Sequence, residues 1–163
     1  MSKASERMRQ VVDWGAAIWG GLVGGIVFLL INMVLTSVYS GSPWFIFRLI
    51  ASIVMGSGVV TPAAAFNPAI FFVSLIIHIP MSIIFACIIA IILHRWGMLV
   101  GIIGGAFFGL ALYLIMFYVL SLIFPWFFYM KCWIMAISYV FFGAVAGGIY
   151  EALEVEEFVP VEE

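Results

Sequence analysis

"AIFFVSLIIHIPMSIIFACIIAIIL", residues 69–93, runs for 25 residues with one histidine and no charged side chain. At about 1.5 Å per residue, a helix of this length crosses the roughly 30 Å hydrocarbon core of a bilayer. A lone strand would leave its backbone polar groups unpaired in lipid, so helix is the state the bilayer permits. The same signature recurs along the chain. No charged residue or histidine lies between Asp13 and Arg48, between Arg95 and Lys131, or between Lys131 and Glu151. These gaps place spans at 15–39, 69–93, 98–124 and 133–152. The expected fold is an all-α integral membrane domain of four transmembrane helices occupying residues 1–163.

Composition agrees with that reading. Hydrophobic residues make up 67% of the chain and charged residues 9%, against about a quarter charged in soluble domains. Mean hydropathy is +1.31. Four spans use up the length, leaving none for a separate soluble domain. The opening "MSKASERMRQVVDW" is polar and basic like the start of a signal peptide, but the apolar run after it offers no convincing small-residue cleavage site. It reads as the flank of a retained first span. Cys87 and Cys132 fall toward opposite membrane faces and carry no metal spacing, so neither a disulfide nor a metal is expected.

Lys3, Arg7, Arg9 and Arg95 fall on one side of this arrangement, and Arg48 and Lys131 on the other. The positive-inside bias puts both termini in the cytoplasm. Trp14, Trp19 and Trp96 gather at the inner boundary, and Trp44, Trp126 and Trp133 at the outer one. Tryptophan belts of this kind mark the two membrane–water interfaces. Trp44, Arg48, Trp126 and Lys131 outside, with Arg95 and Trp96 inside, are the expected interface anchors.

Pro43 to Met55 is apolar but only thirteen residues long, about 20 Å as a helix and too short to span. It is expected to lie on the surface or re-enter the membrane. Pro43 suits a first helical turn, and Arg48 with Ser52 would share a face toward water or headgroups. "GSGVVTPAAAFNP", residues 56–68, reads as an external loop leading to the second span.

Aligning Gly21 with Gly105 and Gly25 with Gly109 matches the first and third spans, and both then run into Pro-Trp-Phe, in "SPWFIFRLIAS" (42–52) and "FPWFFYMKCW" (124–133). This pattern fits a two-fold tandem repeat of two-span units, both in the same orientation. A helix leaving a membrane also tends to meet proline, tryptophan and a cation at the interface, which yields the same pattern without duplication.

Gly20, Gly21, Gly24 and Gly25 in the first span, Gly101, Gly105 and Gly109 in the third, and Gly143 and Gly147 in the fourth form small-residue strips. In lipid such strips promote association by letting backbones approach. Spans one, three and four are expected to pack closely in their cytoplasmic halves, with the second, lacking glycine, more peripheral. A strip could instead join two copies of the chain or a larger partner.

His78 is the one titratable side chain deep in a span apart from tyrosine and cysteine, and such groups are costly there. Pro80 should loosen the carbonyl of Ile76. Counting at about 1.5 Å per residue puts His78 ~15 Å, and Asn32 ~10 Å, below the outer ends of their helices. Tyr113, Tyr118, Ser138 and Tyr139 reach similar depths. These six residues form the candidate polar cluster, suited to a small polar ligand, an ion or water. The plainer reading is that His78 bonds Asn32 or a tyrosine and fixes helix register.

Several chemistries are disfavoured. His78 and His94 are sixteen residues apart, about 24 Å along one helix, so they cannot ligate one haem. No cluster has metal or nucleophile spacing, and no acid lies inside a span. The acidic stretch "EALEVEEFVPVEE", residues 151–163, reads as a solvated cytoplasmic tail from residue 153 on. The expectation is a non-catalytic accessory or scaffolding protein without cofactor. Its partners are the lipid bilayer, another membrane protein or a second copy of itself, and not nucleic acid. The alternative is a small-solute or ion transporter or channel using the polar cluster.

"FRLIASIVMGSGVV" (47–60) and "GLALYLIMFYVLSLIFPWF" (109–127) resemble segments of a group of short four-span bacterial inner-membrane proteins, some with transporter-like names. The resemblance implies a multi-pass protein of the bacterial inner membrane and brings no catalytic residues.

Overall fold

The computed structural model describes residues 8–61, 65–130, 132–155 and 157–160. Four long apolar helices, each able to cross a membrane by length and composition, form the body: α1 (Trp14–Ser40), α3 (Pro68–Leu93), α4 (Met98–Ile123) and α5 (Trp133–Leu153). A short helix, α2 (Phe45–Met55), follows the first, and a 3-10 segment, Pro125–Met130, follows α4.

Local chemistry sets the boundaries. Asp13 caps α1 by accepting the Ala16 amide at 3.0 Å, satisfying one of the orphan donors of the first turn. Gly41, at φ 70°, ends α1 in the left-handed conformation that glycine adopts without strain. Asn67 caps α3 through the Ile70 amide, with Pro68 in the first turn.

The helices meet through small residues. A methyl group on Gly105 would collide with the carbonyl oxygen of Gly143, and one on Gly147 with that of Gly101, so α4 and α5 touch backbone to backbone. On α1 the strip is divided. Gly20 and Gly24 face α5, where a methyl on Gly20 would lie 2.7 Å from the Ala146 oxygen, whereas Gly21 faces α3, 2.6 Å from the Ile83 Cα. Successive helical residues are about 100° apart, so neighbouring glycines serve different partners. Consequently α5 lies between α1 and α4, and the expected close trio of spans one, three and four is replaced by a chain of contacts, α3–α1–α5–α4.

The second span is therefore not peripheral. Ser74, Ser82, Ala86 and Ala90 are all buried, and with His78 they recur every four residues along one face of α3. This small-residue strip receives Gly21 and Gly25 of α1.

At the bundle end where α2 lies, that helix is packed inward, burying Phe45, Ile46, Phe47, Leu49, Ala51 and Ser52. Arg48 is only 8% exposed. It donates to the backbone oxygens of Val59 at 2.9 Å and Ala65 at 2.7 Å. The face carrying Arg48 and Ser52 thus turns to protein, correcting the expectation that it faces water. The cation folds the following loop over the helix, and Ser52 accepts the Trp126 indole N–H at 2.9 Å.

At the opposite end, β1 (Met8–Val11) pairs antiparallel with β2 (Glu157–Pro160), with Arg9 opposite Val159 and Val11 opposite Glu157. A solvated tail was expected from residue 153 on. Backbone pairing wins because both ends of the chain emerge on one side of the bundle. The junction is tied by polar contacts: Val155 N–H donates to Asp13 at 3.2 Å, and Glu154 accepts Tyr150 at 2.8 Å and Gln10 at 3.3 Å. Lys3, Arg7 and Lys131, which entered the charge count, lie outside the described residues.

Candidate functional site

Beneath α2 lies a cavity of about 240 Å³. Ile46, Leu49, Ile50 and Ile53 of α2 roof it. Its α3 wall is Ile77, His78, Met81, Ser82 and Phe85, and its α4 wall Met116, Phe117 and Leu120. Phe28, Met135, Tyr139 and Phe142 close the back and Phe127 one corner. Ile77, Met81 and Phe85 on one side, with Met116 and Leu120 on the other, are half-buried. They form the rim of a lateral opening between α3 and α4, which pack loosely despite being consecutive in the chain.

A two-fold relation between the halves would not hold at the gap. Gly21 and Gly25 pack on α3, and Gly105 and Gly109 pack on α5, so each pair serves the second span of its own unit. The match that puts Gly21 on Gly105 puts Gly24 on Phe108. Gly24 lets α1 approach α5, whereas Phe108 packs as a bulky side chain against the core. The α3–α4 contact that two-fold symmetry would demand stays open, and the cavity occupies the space.

The six candidate polar residues are only partly brought together. His78 Nε2 lies 3.0 Å from the Gly25 oxygen. A carbonyl only accepts, so Nε2 carries the proton. Asn32 does not meet it: its amide donates to Phe28 O on its own helix at 3.0 Å, and its Oδ1 is buried without a partner. Ser138 donates to Ile134 O at 2.9 Å, also on its own helix. Tyr118, 58% exposed, points out of the bundle. What remains is an aromatic relay. Phe28 stacks on His78 at 5.3 Å and meets the edge of Tyr139 at 4.9 Å, and Tyr113 lies 6.2 Å from Tyr139.

Of the expected anchors, Trp96 is exposed, and Arg95 donates to His94 at 3.1 Å. The Trp44 ring packs at a tilt against Phe66, 4.6 Å between centroids, and Trp126 holds Ser52, so both also tie elements together. Sequence reasoning missed the cavity's apolar walls. Their residues are spread over six elements and resemble any lipid-facing apolar side chain until the fold turns them inward.

Among the described residues no group of histidine, cysteine and acid side chains is placed to hold a metal. Cys87 and Cys132 are both free thiols. Comparison with protein-family models, characterised proteins and solved structures finds no match for this chain.

Proposed function

We propose that this protein acts without catalysis, as a multi-pass component of the bacterial inner membrane that binds a membrane lipid or lipophile in the cavity between α3 and α4. The observation that carries this reading is the cavity itself: lined almost wholly by apolar side chains, closed at the back and open toward the space that lipid would fill. Sites that enclose a whole small ligand run to roughly 300–1,000 Å³. At about 240 Å³ this one suits a chain end or a ring, with the rest of the molecule lying in the bilayer. A transport role draws less support. The half of the bundle nearer the ribbon is packed backbone to backbone at Gly101, Gly105, Gly143 and Gly147, leaving little room for a passage. Both termini in the cytoplasm, as the charge bias suggests, would place the cavity in the outer half of the membrane.

Native mass spectrometry of protein released from membranes in mild detergent tests this. Wild type should retain a lipid adduct, and Met116→Trp, which fills the opening, should lose it at unchanged thermal stability. If neither protein carried lipid while a second membrane protein co-purified with both, scaffolding would replace lipid binding as the function.

A further inference from the structure

The cavity has two polar handles on an otherwise apolar lining. With its Nε2 proton committed to Gly25 O, the neutral His78 imidazole presents Nδ1 as an acceptor. The Tyr139 hydroxyl is a donor that no described residue engages. Neither atom is sealed away, unlike Asn32 Oδ1 and Arg48 Nε. Both residues line the cavity and flank the same Phe28 ring.

We propose that the cavity selects a lipophile with a hydroxyl on an aromatic ring, a phenol or hydroquinone on an apolar tail, bound between Tyr139 and His78. This rests on the lipid-binding reading above. A hydroxyl donates to Nδ1 and accepts from Tyr139 at once, whereas an ester or ether oxygen only accepts. Depth points the same way. His78 is ten residues inside α3, about 15 Å along the axis, so a glycerolipid anchored by its headgroup cannot bring its polar part there. A lipophile dissolved in the hydrocarbon reaches this level sideways through the gap. The ring requirement comes from the walls: Phe28, Phe117, Phe127, Phe142 and Tyr139 offer faces and edges to a further aromatic, an arrangement that favours offset or edge-on packing.

Two probes that differ by one hydroxyl, 4-decylphenol and decylbenzene, decide the matter by equilibrium dialysis against the full chain in lipid nanodiscs. Wild type should bind 4-decylphenol about three- to tenfold tighter than decylbenzene, the gain of one or two net hydrogen bonds. Tyr139→Phe keeps the ring and its packing. It should weaken 4-decylphenol by about threefold or more and leave decylbenzene unchanged, at a melting temperature close to wild type. Equal affinity for the two probes in wild type, a comparison that needs no variant, would overturn the hydroxyl selection and leave a plain apolar-chain site. Binding of neither probe, with the lipid adduct equally present in Met116→Trp, would remove the cavity as a binding site altogether.

Discussion

One methyl group separates a working helix contact from a broken one at Gly143. A Cβ there would fall on the Gly105 carbonyl oxygen, which belongs to a backbone and cannot swing aside. Gly143→Ala should therefore force α4 and α5 apart and destabilise the bundle by about 1–3 kcal/mol or more. Thermal unfolding in detergent, followed by circular dichroism, would register this as a lowered midpoint. Gly58→Ala is the matched control, since nothing lies within 4 Å of the added carbon, and it should stay within about ±0.5 kcal/mol. The glycines were legible in the sequence as packing residues, but their partners were not. Gly20 and Gly21 are neighbours, and only the fold shows that one faces α5 and the other α3. The strip on α3 escaped notice because serine and alanine, unlike glycine, are easily read as filler in a hydrophobic run. His78 was legible as unusual, yet its partner is a backbone carbonyl exposed by the missing side chain of Gly25, an acceptor no residue type announces.

Among the elements, α2 departs furthest from expectation. Its length ruled out a span, and its single cation suggested a surface position. The fold instead supplies Arg48 with carbonyl acceptors at Val59 and Ala65, seventeen residues on at most. Hydrogen bonds to charged groups contribute about 1.5–3 kcal/mol each. Arg48→Met keeps the stem that packs against the loop and removes the forked donor. It should cost at least about 2 kcal/mol and release the backbone at Val59 and Ala65, so limited thermolysin digestion should cut near them faster than in wild type. Equal cutting rates would mean that the loop is held by Trp44, Phe47, Phe66 and Phe71, whose rings pack 4.6 to 6.0 Å apart. Of the local signals around this element, glycine and proline marked the loop 56–68, whereas Pro43, expected in the first turn, lies two residues before the first helical residue, Phe45.

Across the whole molecule, the four membrane helices and their order followed from hydropathy alone, since the bilayer imposes length and helicity on any spanning segment. The ribbon did not, because its strands are four residues each and lie nearly 150 residues apart. Acid is the means of testing it. The Asp13 carboxyl is held below the usual carboxylate range, first by the Ala16 amide and further by that of Val155. A lowered value means that the ionised form stabilises the junction at neutral pH, and that this contribution fades as pH drops through the shifted pKa, below about 3.8. Amide exchange at residues 8–11 and 157–159 should be slow near pH 7 and lose protection under strong acid, after correction for the intrinsic rate. Asp13→Asn should flatten that acid dependence, and an unchanged profile would mean that the Asp13 carboxylate does not hold the ribbon together. The ribbon also bears on membrane topology. Its two strands flank the four long helices, so it can pair only when an even number of them crosses the bilayer and leaves both strands on one side. A chain with one helix left out of the membrane would hold the two strands on opposite sides, each with an open edge.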